Sequence, residues 1–279
     1  MTLTITILSL LFIFLLVGRN YAWLSPLIVT LWVITIIAGV LFYIIEQRAE
    51  EPILPIDFFH IRGFSIGNAS VFMSSFASFG FFGFAPLFIQ GALGKSPVAV
   101  GTTVLSLSVG WSLGSLVLGR FIHRWGNRLS SIAGAILLAI GCALTLSFST
   151  ETTIATCFWV FALVGIGMGF VSLATVLVVQ NSVKVSDLGV ATSSHQFSRN
   201  LGSTVGIGIC ASMCTTGFTN KLRSAFANSS VGNLPESLAD QILSNSDSVL
   251  QPEIRAQFPP DTLPLLYQSV AHGTLLVFW

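Results

Sequence analysis

Charged side chains are scarce in this sequence. They make up 8% of it, against about 25% in an ordinary soluble domain, so the chain cannot cover a globule with polar groups. The net charge is +1 and no basic stripe offsets it, which argues against a nucleic-acid partner. Asp and Glu are missing from the interior of every long apolar run. Proton or cation coupling inside a membrane normally uses such a carboxylate, so no coupling residue is visible here. Also missing are a GxxxxGK[ST] phosphate loop, an HExxH zinc helix and a GxSxG elbow. Ser and His occur, but in no arrangement suited to nucleophilic catalysis, and His195 beside Arg199 is poorly placed as a base. No enzymatic activity, cofactor or metal is expected. There are only four cysteines, Cys142, Cys157, Cys210 and Cys214, all within apolar runs. Thiolate ligands there would be costly, so they are read as small packing residues. The N-terminus lacks the basic n-region and small-residue cleavage site of a signal peptide and reads as a membrane span.

What is present is hydrophobic length. Apolar residues are 53% of the chain, in runs that reach the roughly 20 residues a helix needs to cross a bilayer. Alternation in segments of about 10 residues, the mark of a β-barrel, is absent. The fold class is therefore an all-α polytopic membrane protein. Spans are expected at about 3–17 and 24–45, making a two-span hairpin over 1–45 with Trp23 and Tyr43 as interface anchors. A cytoplasmic linker follows at 46–63, where Pro52 and Pro55 forbid continuous helix. Further spans are expected at 64–90, 98–119, 129–148, 154–179 and 201–218. The polar stretch 180–200 precedes the last of these. A long polar extracytoplasmic loop over 219–263 leads to the apolar 265–279, too short for a full crossing and read as a truncated last span.

Leu118–Arg128, LGRFIHRWGNR, places Arg120, His123, Arg124 and Arg128 between two apolar runs. It reads as a tight turn at the membrane surface. Lys and Arg bias across the short loops, counting Arg48, Arg62, Lys184 and Arg199 on one side and Arg19 and Lys95 on the other, assigns that turn to the cytoplasm. Lys221, Arg223 and Arg255 lie in the long loop, where the rule is weaker. Small residues let membrane helices approach closely, and the pairs Gly63/Gly67, Gly110/Gly114, Gly165/Gly169 and Gly202/Gly206 all stand at i, i+4. Static helix packing is the plainer reading of them, and sliding during a conformational change the sharper one. Phe72, Phe76 and Phe79 share one helix face. With Gln90 they are candidates to line a cavity for amphipathic or aromatic substrates, against the plainer reading of lipid contact or packing. Asn228-Ser-Ser230 fits the glycosylation pattern only weakly.

The basic turn resembles the second-half copy of the loop signature of the major facilitator superfamily, G-x-L-x-D-R-x-G-R-R. Gly119, Phe121, Arg124, Gly126 and Arg128 fall on the pattern; His123 stands at its acidic position and Asn127 at a basic one. RAEEPILPIDFFHIRGF (48–64) and GVATSSHQFSRNLGSTVGIGI (189–209) resemble segments of the fourteen-span drug:proton antiporters within that superfamily. In the second, Gly189, Thr192, Arg199, Gly202 and Gly206 match. The resemblance implies a partial major facilitator fold: a central hairpin and most of the C-terminal six-helix half (64–279), in a plasma membrane or bacterial inner membrane. It implies proton-coupled multidrug efflux by alternating access, with small amphipathic substrates, protons and lipid as partners. It also implies a missing N-terminal half, with a separate partner chain as one way to supply it. Arg120, Arg124, Arg128 and Arg199 become candidates for cytoplasmic contacts that steady one conformation. On this reading the chain expressed alone should not lower drug accumulation. The competing reading is a non-transporting membrane module or partner subunit of a split carrier.

Overall fold

The computed structural model describes residues 2–17, 25–47, 56–228 and 263–278. Among them every regular element is helical. The first two, α1 (Thr2–Val17) and α2 (Pro26–Glu46), form an antiparallel hairpin. The start of α2 is written in the sequence: the Ser25 hydroxyl accepts the Ile28 N–H, and Pro26 brings a preset φ to the first turn. Across the pair, Thr35 Oγ1 donates to Ser9 Oγ at 2.8 Å, and Ile13 and Ile28 are fully buried. Other large side chains of α2, such as Val33, Ile36 and Ile37, are exposed, a favourable state when the surroundings are hydrocarbon.

One long span was expected over 64–90. Instead α3 (Arg62–Phe82) breaks at Gly83 and Phe84 and resumes as a π-helical turn, Leu87–Ala92. Pro86 is the reason, because it has no N–H to offer the Phe82 carbonyl and its ring crowds that turn. Leu93 N–H to Phe88 O and Lys95 N–H to Ile89 O, both 3.0 Å, close the segment around Gly94 at φ 62. The face that α3 turns inward is polar, with Asn68, Ser74, Ser75 and Ser78 all buried.

Next, α4 (Pro97–Thr145) is two helical arms joined at a sharp turn at Gly126 (φ 72, ψ 161). Its arms, 97–125 and 127–145, correspond to the fourth and fifth expected spans. The helix α5 (Ile154–Gln180), N-capped by Thr153, packs against both arms. Gly165 and Gly169 meet the first arm at Leu107 and Trp111, while Gly167 meets the second at Leu138 and Gly134. The two arms therefore flank α5 on different faces.

The largest departure from the sequence reading is α6 (Leu188–Asn228). The stretch before residue 201 was expected to be polar lead-in, and the stretch from 219 to be loop; both are helix as far as Asn228. At the start, the polar groups are taken up by neighbouring helices, as described below. Near the end, the hydroxyls of Thr216, Thr219 and Ser224 donate back to carbonyls one turn earlier. The last helix, α7 (Leu263–Phe278), packs on α6 and on the π-helical turn. Four helices, Pro26–Ile45, Pro97–Thr145, Ile154–Gln180 and Val185–Lys221, are long and apolar enough to cross a membrane. The turn at 18–23 with Arg19, Arg48, Pro52 and Pro55, the Ser229-Ser230 portion of the glycosylation pattern, Arg255 and the loop from 229 to 262 lie outside the described residues.

An aromatic core closes the end of the bundle away from Gly126. Phe88 stacks on Phe148 at 5.6 Å between centroids, and Phe82 meets Phe161 edge-on at 5.2 Å. Phe218 and Val270 bring α6 and α7 into the same cluster.

Candidate functional site

Three of the glycine pairs singled out in the sequence lie where helix backbones touch, while Gly63 and Gly67 face chiefly side chains of Val178, Val179 and Ser182. A Cβ on Gly110 or Gly114 would strike the Ala162 or Ile166 carbonyl of α5. One on Gly202 or Gly206 would strike the Phe72 or Phe76 carbonyl of α3. These contacts run in register, with 110 opposite 162 and 114 opposite 166, then 72 opposite 202 and 76 opposite 206. Two parallel helix pairs result, the first arm of α4 with α5 and α3 with α6. Phe72 and Phe76 thus meet α6 through their backbones, and their side chains are half-buried.

Phe79 and Arg199 are joined by a residue the sequence reading did not select. Trp111, roughly midway between Pro97 and Gly126, meets the Phe79 ring at 6.0 Å and 64°. The Arg199 guanidinium carbon stands 5.6 Å from the Trp111 ring centroid, within cation–π range. Arg199 was expected at the cytoplasmic surface. It lies instead within α6, half-buried and directed to a mid-helix tryptophan, because α6 begins thirteen positions earlier than residue 201. Among the described residues no carboxylate pairs with it.

A buried hydrogen-bond network ties α3, α5 and α6 together nearer the Gly126 end. Ser194 and Ser198 of α6 donate to Asn68 Oδ1 of α3 at 3.4 and 3.1 Å. Asn68 Nδ2 in turn donates to the Phe64 carbonyl at 2.9 Å. Thr175 Oγ1 of α5 lies 2.9 Å from His195 Nε2, and at the exposed edge Gln180 Nε2 donates to Thr192 Oγ1. Asn68 is the lone side-chain amide of α3, the one sign by which this network was legible in the sequence.

Arg120, His123 and Arg124 are exposed on the last turns of the first arm, and Arg128 on the first turn of the second. The expected turn between them is a single residue, Gly126. Its φ and ψ fall in a region essentially reserved for glycine. Gly119 is exposed, with only Leu173 Cδ2 near the position of a Cβ. Phe121 and Trp125 stack at 5.7 Å beside the arginines, an aromatic pair suited to a membrane interface.

On the second-arm side of α5, a crevice of about 960 Å³ separates α3 from residues 127–142. None of Phe72, Phe76, Phe79 or Gln90 lines it; Gln90 lies in the π-helical turn, half-buried. Cys157 and Cys214 are buried, Cys142 and Cys210 half-buried, and all four are free thiols. Cys142 borders the far end of the crevice, and Cys210 packs against Gly80.

A family model described as the Major Facilitator Superfamily matches residues 67–234. The multidrug transporter protein MdtP of Bacillus subtilis is 33% identical over the whole of this chain, which covers 54% of that protein. Multidrug resistance protein 3 of the same organism is 29% identical over 99% of the chain and again 54% of its own length. The methylenomycin A resistance protein of Streptomyces coelicolor is 28% identical over 68% of the chain and 40% of that protein. The chain spans about half the length of the two Bacillus relatives. In those relatives the remaining half belongs to the same polypeptide, which lends no support to a separately encoded N-terminal partner.

Proposed function

Because the chain belongs to the major facilitator superfamily, a family of membrane transporters and not of enzymes, we propose that it forms the C-terminal transport half of a multidrug exporter. In this reading it carries small amphipathic or aromatic substrates outward by alternating access, in exchange for protons. The reading is carried by similarity over the whole chain to two multidrug proteins. The paired-helix geometry fits it: two backbone-close seams make rigid units, while the contacts joining those units are fewer and more polar. Such a division suits a bundle whose parts move against each other.

The substrate-facing elements we propose are Trp111, Phe79 and Arg199. Aromatic faces take up flat cations and apolar rings alike. Arg199 supplies a charge that a substrate or a conformational change can draw away from Trp111. We further propose that the Gly126 turn, with Arg120, Arg124 and Arg128, faces the cytoplasm of an inner or plasma membrane, as the positive-inside bias favours. The proton half of the exchange draws no support from an acid within the described helices, since Glu46, Asp57, Glu151 and Asp187 all lie at or near helix ends.

A chimera tests the proposal. Replacing the matching half of the Bacillus MdtP protein by this chain, in cells without their own pumps, should retain export of a fluorescent drug the parent is first shown to expel. Trp111→Leu or Arg199→Gln in the chimera should lower the initial export rate about tenfold, the equivalent of the ~1–2 kcal/mol of a desolvated cation–π contact. A chimera that inserts at normal levels yet exports nothing would sink the reading.

A further inference from the structure

The crevice beside the second arm of α4 has a chemical direction along its length. At one end two helices begin together, α3 at Arg62 and the second arm at Asn127 and Arg128. Both arginines are exposed and line the crevice, and no carboxylate is among its lining residues. The positive ends of two helix dipoles add to the same sign. From there the walls become apolar, with Met73 and Ile132 on the rims and Leu138 in the floor. The rims are open: Met73 is 62% exposed and Ile132 47%, and no other described helix covers them.

We propose that this crevice binds one anionic phospholipid, its phosphate held by Arg62 and Arg128 and an acyl chain laid along the apolar walls. Length supports the assignment. From Arg128 to Cys142 the second arm rises about 21 Å at ~1.5 Å per residue, and α3 from Arg62 to Ala77 rises about as much. One leaflet with its headgroup region is half of a bilayer of about 40–45 Å. The basic end therefore falls at headgroup depth when the apolar end reaches the midplane. Arginine suits the phosphate, since its planar donors engage two oxygens at once. With no acid among the described residues that line it, the crevice offers nothing to receive the ammonium of a zwitterionic headgroup, so net-anionic lipid is selected. The site opens sideways from the bundle, on the other face of α5 from Trp111, and the described helices leave its rims uncovered. It depends on the membrane setting alone and stands apart from the transport reading.

The test is lipid binding to the purified chain in detergent, followed by native mass spectrometry. Phosphatidylglycerol should bind at one copy per chain, roughly tenfold or more tighter than phosphatidylcholine with the same acyl chains, because the choline ammonium is repelled by the same two arginines. The Arg62→Gln/Arg128→Gln double variant should bring the two lipids level. Ala135→Trp, which fills the groove without touching its charge, should weaken both. Arg124→Gln, exposed but outside the crevice, should change neither. Equal affinity for the two lipids in the unaltered chain would overturn the proposal. So would undiminished phosphatidylglycerol selectivity in the double variant. Displacement of the lipid headgroup preference by inorganic phosphate alone, with Ala135→Trp without effect, would mean a free-anion site and would likewise overturn it.

Discussion

Gly126 shows how much one residue decides. It alone breaks helical geometry between the two arms of α4, which run in opposite directions along α5. At φ 72 and ψ 161 an L side chain is strained whatever space surrounds it, and nothing lies within 4 Å of a Cβ there. Gly126→Ala should therefore lower stability by about 1–3 kcal/mol through backbone strain alone. The check is the thermal midpoint of the purified chain in detergent; an unchanged midpoint would mean that the turn has another low-energy form. Arg199 makes the complementary point. Its type and number were evident from the sequence, yet its partner was not, because Trp111 lies 88 positions away in an otherwise ordinary apolar helix. Spacing along one helix carries no information about which face another helix presents.

At the level of helices, glycine pairs were the most informative pattern. Burial alone contributes little between helices in lipid, so close approach is left to residues without a side chain, and glycines at i, i+4 clear one face of a helix for a neighbouring backbone. Their partners still had to come from the fold, which sets Gly202 and Gly206 against the backbone of α3. Two substitutions separate seam from surface. Gly206→Val should abolish the folded species, seen as loss of the monodisperse peak on size exclusion, because the Phe76 carbonyl cannot withdraw without parting α3 from α6. Gly119→Ala should leave that peak unchanged, its Cβ meeting only Leu173 at 3.8 Å. Helix ends were less legible. Pro86 was passed over when 64–90 was read as one span, and Thr192, Ser194 and Ser198 were read as polar lead-in because their polarity was visible and their partners were not. Once Asn68 and Gln180 satisfy them, helix is the conformation that leaves no donor stranded.

On the scale of the molecule, the two ends of the bundle differ in kind. One carries the exposed arginines and a stacked Phe121–Trp125 pair; the other is knit by Phe82, Phe88, Phe148 and Phe161. The proposed topology, drawn from the positive-inside bias, has the arginine end facing the cytoplasm. With the four native cysteines replaced by alanine, Lys95→Cys should react with a membrane-impermeant maleimide in intact cells. Arg124→Cys should react only after permeabilisation. The reverse pattern would invert the proposed topology and with it the direction of export.

Composition and run length by themselves determined that this is a helical membrane protein, since so few charges leave no other way to be solvated. The apolar helical runs, the arginines about Gly126 and most of the close-packing glycines were also legible, each resting on a local property of the chain. Tertiary structure alone decided which faces meet: Trp111 with Arg199 and Phe79, Asn68 with α6, and the crevice between α3 and the second arm. The reason lies in the solvent. A helix in water betrays its buried face by an apolar stripe. In lipid both faces are apolar, the periodic contrast fades, and only packing tells inside from outside.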